Sequence, residues 1–445
     1  MAKKLYKAMR GDRVRVTRLK LGAGALILCA GAFGSSSVLS QYRLEKPVRN
    51  MVAYPILNIS AGYSSALYDS SGDEKAASPT IAVMLGAGLQ GKRRGHFYGL
   101  EYVAETNYFT DTEAEEQQVN QRFVGYWGTA FTQRQNLDIG FEIRDQELPR
   151  GYENPLDGNH NTIGDPSGAN WKQYQAGALY VLGNDETRGK LELAACLTCI
   201  RNDDDDYDYR DSNIIDASAT LLARVLPKTH LLFQVAHSNF EYTNANTGDF
   251  TDGLDSTETR YLVGATWRAT RKTTGTAKIG YVVKDFESGS SREGHDNLIL
   301  DLAVDWNPNK YNAVRLHYMY RPFESVEYDD LVQDDYVEIN QVDLTWSKAW
   351  SPRLFSNTSA YYGQDEYNVS GRADERYGAE LGLRYKTNRY GSIGVTLFSE
   401  NRTSSLAGHG YEDQGIMIDY NIGQLFGFGE QINSEARAAD ICKIR

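Results

Sequence analysis

The chain lacks any apolar run long enough to cross a membrane as a helix. Downstream of residue 40 nothing approaches the roughly 18–20 consecutive apolar residues such a helix needs. A mean hydropathy of −0.52 points the same way. It does not exclude a β-barrel, in which only alternate residues face lipid. Basic residues are in deficit, 47 Lys and Arg against 59 Asp and Glu, for a net charge of −12. That balance argues against nucleic acid or anionic lipid as partners. Proline is scarce, at 10 in 445 residues, whereas glycine (41) and tyrosine (30) are plentiful. Cysteine is scarce too, at four: Cys29, Cys196, Cys199 and Cys442. Cys196 and Cys199 lie in one strand-like run (CLTC). At i and i+3 on a strand they point to opposite faces with Cα atoms about 10 Å apart, too far for a disulfide between them. No His or Cys stands at zinc-ligand spacing from them. Both read as small apolar residues, and Cys442 has no assigned role.

What is present begins with a targeting segment. Residues 1–20 hold eight Lys and Arg against one Asp, and residues 21–33 (LGAGALILCAGAF) form an apolar core. Small residues follow, with cleavage expected near 32–34 or 38–40. Residues 1–40 are therefore expected to be a signal peptide. Taking its +7 from the chain's −12 leaves a mature net charge of −19.

From about Val52 to Phe428 the sequence reads as some eighteen strand-like runs of about 10–15 residues, longer than the usual strand of a globular sheet. The clearest alternate with period two. In 297–306 (NLILDLAVDW), Leu298, Leu300, Leu302, Val304 and Trp306 share one face and Asn297, Asp301 and Asp305 the other. Residues 137–144, 260–268, 314–321 and 377–386 repeat the pattern. Short basic turns such as GKRRG (91–95), RKTTG (271–275) and NPNK (307–310) alternate with long acidic or polar connections such as 110–118, 149–169, 202–213, 244–256 and 324–335. Eight short turns and nine long loops require eighteen strands with both termini on the short-turn side. The fold class predicted is all-β: a closed antiparallel up-and-down transmembrane β-barrel with long extracellular loops and short periplasmic turns. A soluble all-β domain would show the same alternation and stands as the alternative.

In a barrel the polar faces line the lumen. The candidate lumen residues are Glu101, Glu105, Asp138, Glu142, Arg144, Arg260, Arg268, Asp301, Asp305, Arg315, His317, Arg321, Asp343, Glu380, Arg384, Lys386 and Asp419. The candidate aromatic girdle comprises Tyr261, Trp267, Trp306, Tyr320, Tyr377 and Tyr385. Mixed charge inside a barrel can brace the wall through ion pairs and can select permeants. The 149–169 loop, on its length, is the candidate constriction.

Two motifs invite other chemistry. His237-Ser238-Asn239 is reminiscent of outer-membrane lipid hydrolases, but adjacent strand residues point to opposite faces and cannot pair as nucleophile and base. The acidic run 203–206 lacks the Gly and Glu spacing of a calcium loop and reads as a solvated loop tip. No catalytic residue, metal site or cofactor is expected.

Residues 54–68 (YPILNISAGYSSALY) resemble the first strand of the putative β-barrel porin 2 family: a Pro precedes the first alternating strand, and the strand has a Tyr-rich end. The apolar hairpin 78–109, a second hairpin over 120–149 and the exit Leu148-Pro149-Arg150-Gly151 into a long loop extend the similarity, loosely over 50–428. The resemblance implies an outer-membrane porin-like barrel, often encoded with exopolysaccharide synthesis and export genes, and hence a conduit for exopolysaccharide or capsular polysaccharide. A diffusion porin for small solutes and a structural or adhesive barrel are the alternatives. Implied partners are outer-membrane lipid and lipopolysaccharide, a polysaccharide or other hydrophilic solute in the lumen, and periplasmic export proteins. The expected organisation is signal peptide 1–40, periplasmic segment 41–51, barrel 52–428 and periplasmic tail 429–445. That tail departs from the pattern of barrels that end on an aromatic residue.

Overall fold

Runs that alternate an apolar with a polar side chain satisfy a strand that has one face in lipid and the other in water. The computed structural model describes residues 51–423 except 66–77, 94, 110–116, 148–169, 185, 204–210, 244–254, 269, 271, 288–291, 293, 325–327, 330–331, 334–335, 389 and 407–409, together with Cys442. The signal segment, the 149–169 loop and most of the C-terminal tail lie outside the described residues. The strands of the first half are β1 (Val52–Ser64), β2 (Ser78–Arg93), β3 (His96–Phe109), β4 (Gln117–Thr132), β5 (Gln135–Glu147), β6 (Asn170–Leu182), β7 (Gly189–Asn202), β8 (Ser212–Leu226) and β9 (Thr229–Tyr242). Those of the second half are β10 (Ser256–Trp267), β11 (Thr273–Phe286), β12 (His295–Asn309), β13 (Asn312–Glu324), β16 (Tyr336–Ala349), β17 (Leu354–Tyr367), β18 (Ala373–Lys386), β19 (Gly391–Ser404) and β20 (Tyr411–Gly423). Two short strands, β14 (Tyr328–Asp329) and β15 (Val332–Gln333), pair only with each other, between β13 and β16.

The eighteen long strands form one sheet in which each pairs antiparallel with its neighbours in sequence. β1 closes the ring against β20, in register from Ile56↔Gly423 to Ser64↔Gly415. Closure leaves no edge, so the spanning backbone is hydrogen-bonded within the sheet, as a lipid environment demands. For eighteen strands tilted about 40°, strand spacing gives a backbone diameter of roughly 35 Å. Among the described residues no helix is long and apolar enough to cross a membrane.

Burial separates this barrel from a water-soluble sheet. The exposed face carries the large apolar side chains: Leu85, Leu100, Ile139, Leu197, Phe233, Val263, Leu298, Leu344, Leu383 and Ile418 are all exposed. The opposite face carries buried polar and charged groups, among them Glu142, Asp216, Arg260, Lys284, Asp374 and Arg402. An apolar band this extensive would not persist in water.

The lumen face can be recognised from side chains that reach across an intervening strand, since side chains converge on a concave wall. Tyr54 on β1 lies over Gly88 on β2 and donates its hydroxyl to Glu101 on β3 at 2.8 Å. Arg384 on β18 passes over Gly394 on β19 to Asp419 on β20, at 2.8 and 2.9 Å. At β10–β11 the backbones themselves are close. A Cβ on Gly280 would lie 2.1 Å from the Tyr261 carbonyl oxygen. Gly280→Val should therefore destabilise the barrel by about 1–3 kcal/mol and lower the temperature at which it loses its folded mobility in SDS electrophoresis. Ala265→Val, on the lipid-facing side of the same strand pair, should leave that temperature unchanged.

Candidate functional site

The candidate site is the inner wall. Strand parity puts sixteen of the seventeen predicted lumen residues on it: Glu101 and Glu105 on β3, Asp138, Glu142 and Arg144 on β5, Arg260 on β10, Asp301 and Asp305 on β12, Arg315, His317 and Arg321 on β13, Asp343 on β16, Glu380, Arg384 and Lys386 on β18, and Asp419 on β20. Arg268 is the exception. β10 ends at Trp267, so Arg268 already belongs to the turn; it is exposed, and its backbone N–H donates to the Lys228 carbonyl at 2.8 Å.

Of the predicted girdle, Trp267, Trp306 and Tyr385 lie at the short-turn ends of their strands, while Tyr320 and Tyr377 lie towards the long-loop ends. Tyr261 does not belong to either rim. It sits midway along β10, directly opposite Tyr281 on β11. The outer wall near the long loops also carries a feature that alternation alone does not reveal. Tyr320 donates to Glu338 at 2.7 Å, Tyr362 to Glu375 at 2.6 Å, and Tyr281 to Asp296. Each is a cross-strand pair of lipid-facing positions, where a phenol body suits the apolar band and its hydroxyl the polar boundary.

The inner wall has two characters. Near the long loops its side chains are packed and several of its charges are paired. Trp171, Val282 and Lys284 are 2%, 1% and 1% exposed, and Val337 and Ile339 are equally buried. Their burial shows that converging neighbours cover these side chains on the lumen side. At the same level Asp374 accepts from Arg372 at 2.5 Å and from Arg402, and Arg376 pairs with Asp365 at 2.5 Å. Arg376 also reaches Gln341 on β16, at 3.3 Å. Ser238 donates to Asp216 at 2.6 Å and accepts from Arg260 at 3.1 Å.

Towards the short turns the wall is half-buried and wetter. His317 lies between Asp301 at 3.3 Å and Asp343 at 3.7 Å, and Asp301 also meets Lys278 at 3.6 Å. Arg315 faces Asp305 at 3.9 Å. Arg384–Asp419, a few strands further round the ring, lies nearer the short-turn rim, with the arginine partly exposed. By contrast Glu142, buried in the long-loop half of β5, takes Arg122 at 2.6 Å and Arg144. Rows of opposite charge facing a lumen set a transverse field on whatever passes.

The hydrolase motif is divided by the wall. His237 is exposed on the outer face and contacts the Thr259 hydroxyl at 2.9 Å, whereas Ser238 is buried on the inner face. Of the run 203–206, Asp203 is described; it pairs with Lys172 at 2.6 Å. Among the described residues no group of three or more His, Cys, Asp or Glu could hold a metal ion.

The cysteines depart from expectation. Cys199 is free, and Cys196 is not a bystander: it forms a disulfide with Cys442, 246 residues away. Reading both as small apolar residues fails for Cys196. No local spacing signals a bond between a mid-barrel strand and the chain's last few residues.

The family model for putative beta-barrel porin 2 matches residues 198–422, just over half the chain. The chain belongs to the putative β-barrel porin 2 family. No curated protein matches the sequence of this family member. Several solved structures are similar to this chain at low identity. A BenF-like porin from Pseudomonas fluorescens Pf-5 is 9% identical, with a TM-score of 0.48 over 84% of this chain and 99% of that one. OccK2 (OpdF) from Pseudomonas aeruginosa is 10% identical, with a TM-score of 0.46 over 85% and 99%. The FrpB iron transporter (F3-3 variant) from Neisseria meningitidis is 13% identical, with a TM-score of 0.44 over 83% of this chain; the porin 2 family member spans 64% of its length.

The two halves of the wall should respond differently to mutation. Asp374→Ala would leave buried Arg372 and Arg402 without their carboxylate and should cost about 3–5 kcal/mol, read as a lower unfolding midpoint in denaturant. Arg384→Ala, in the wetter half, should keep the fold and shift the zero-current potential across a salt gradient towards cation selectivity.

Proposed function

We propose that the protein is an outer-membrane channel for hydrophilic solutes. One observation carries the reading: a closed eighteen-strand ring has its apolar side chains outside and paired charges inside. A filled barrel serving only as a wall has no use for a half-exposed ladder of Lys278, Asp301, Arg315, His317, Asp343 and Arg384 on its inner face. Membership of a porin family supports passage over catalysis, and division of His237 from Ser238 by the wall argues against a hydrolase. The basic short turns fit a periplasmic rim and the acidic loops an outer surface facing lipopolysaccharide, reached after removal of the signal segment.

Polysaccharide is the second reading for the cargo. Its support is the pair of lumen tyrosines, Tyr54 and Tyr361, each laid over a glycine and bonded to a glutamate, at 2.8 and 2.5 Å. Ring faces flanked by carboxylates suit sugars, which bind by stacking and by hydroxyl hydrogen bonds. Packing near the long loops favours small solutes over a polymer.

Planar-bilayer recording decides between these outcomes. The channel reading expects discrete, ohmic openings. Block by a polysaccharide, with indifference to small sugars, would assign the polymer as cargo; free permeation of small sugars in vesicle swelling would assign diffusion. A barrel that inserts and never conducts would contradict both.

A further inference from the structure

The Cys196–Cys442 bond lies inside the ring. Cys196 is 1% exposed on β7, seven residues from that strand's short-turn end, and its side chain is on the lumen face with Lys190, Glu192, Ala194 and Thr198. Cys442, itself buried, packs against Cys196 and Ala236, with Leu179 and Ala194 around them. These residues come from the lumen faces of β6, β7 and β9. Gly177 is the register partner of Cys196 on β6, and Ser218 that of Ala194 on β8. Apart from Leu179 and Asp216, the β8 register partner of Cys196, the side chains here are small and leave a notch at mid-height. The two Cα atoms are 5.3 Å apart, within the range a disulfide spans.

We infer that this notch is the docking site of the segment that carries Cys442, which the disulfide holds in the permeation path. This inference rests on the channel reading and deepens it. β20 ends at Gly423, at the short-turn rim, and 18 residues separate it from Cys442. An extended chain of that length reaches about 65 Å at most, ample for mid-height of the lumen. Oxidation conserves atoms and electrons through exchange with a disulfide-bearing oxidant of the kind that an oxidising compartment supplies. The Cys442 thiolate attacks the oxidant's disulfide and forms a mixed disulfide, expelling one thiolate. Once Cys442 docks, the Cys196 thiolate attacks its sulfur and expels the second. Two electrons and two protons pass to the oxidant, which leaves as two thiols. A dithiol reductant reverses both steps and frees that segment from the wall.

The test uses the full-length protein carrying Cys199→Ser, which removes the free thiol. In planar bilayers, a dithiol reductant added to the short-turn side should at least double single-channel conductance. Cys442→Ser should conduct at that higher level with or without reductant. Conductance that is unchanged by both reduction and Cys442→Ser would overturn the inference while leaving the channel intact. A second readout does not need conduction: labelling of Cys196 by a water-soluble maleimide. The inference expects protection in the oxidised protein and labelling in the Cys442→Ser variant. Labelling of Cys196 before reduction, or protection in Cys442→Ser, would overturn it even for a barrel that never conducts.

Discussion

Everything in this structure depends on the pairing of β1 with β20. A strand in hydrocarbon must have its backbone N–H and C=O groups bonded by neighbouring strands, because lipid offers no substitute. An open sheet of eighteen strands would leave two unsatisfied rows. Joining Ile56 to Gly423 and Ser64 to Gly415 removes both. Closure also separates the two faces of every strand into an outside and an inside. Alternation that would be ambiguous in an open sheet becomes a lipid-facing wall and a lumen.

Once the ring is closed, its curvature shapes the inner chemistry. Side chains on the concave side converge, so long ones reach beyond the adjacent strand where that strand offers a glycine. Tyr54 over Gly88, Tyr361 over Gly378 and Arg384 over Gly394 are three uses of one device. Each bridges three strands through one polar side-chain pair and fixes register. The ion pairs around Asp374 and Asp365 do comparable work near the long loops, where burial makes an unpaired charge costly. The wetter half of the lumen, lined by Asp301, His317, Asp343 and Arg384, is left to meet solute.

Much of this was legible in the sequence for a physical reason. Lipid on one side and water on the other write a period of two into each strand, as in 297–306. The confined rim writes short turns between alternate pairs. Parity then assigns Asp301, Arg315 and Glu380 to the lumen without a structure. It fails where a strand stops, as at Arg268, one residue past the end of β10. It also cannot give height, so Tyr261 reads as a girdle residue although it sits midway along β10. Contacts between strands two apart need the register, and Tyr54–Glu101 could not be read from either residue alone. The Cys196–Cys442 bond was least legible. A strand cysteine and a terminal cysteine 246 positions apart share no periodicity, and only the closed ring brings them together.

The central claim is that the protein is apolar outside and aqueous inside, and β12 tests it most directly. Single reporter labels at Leu298, Leu300, Leu302, Asp301, Ala303 and Asp305, in a background without other cysteines, can be exposed to lipid-soluble and water-soluble quenchers in vesicles. The account predicts strict alternation: the leucine positions answer to the lipid-soluble quencher, and 301, 303 and 305 to the water-soluble one. Water-soluble quenching at both sets of positions would contradict it.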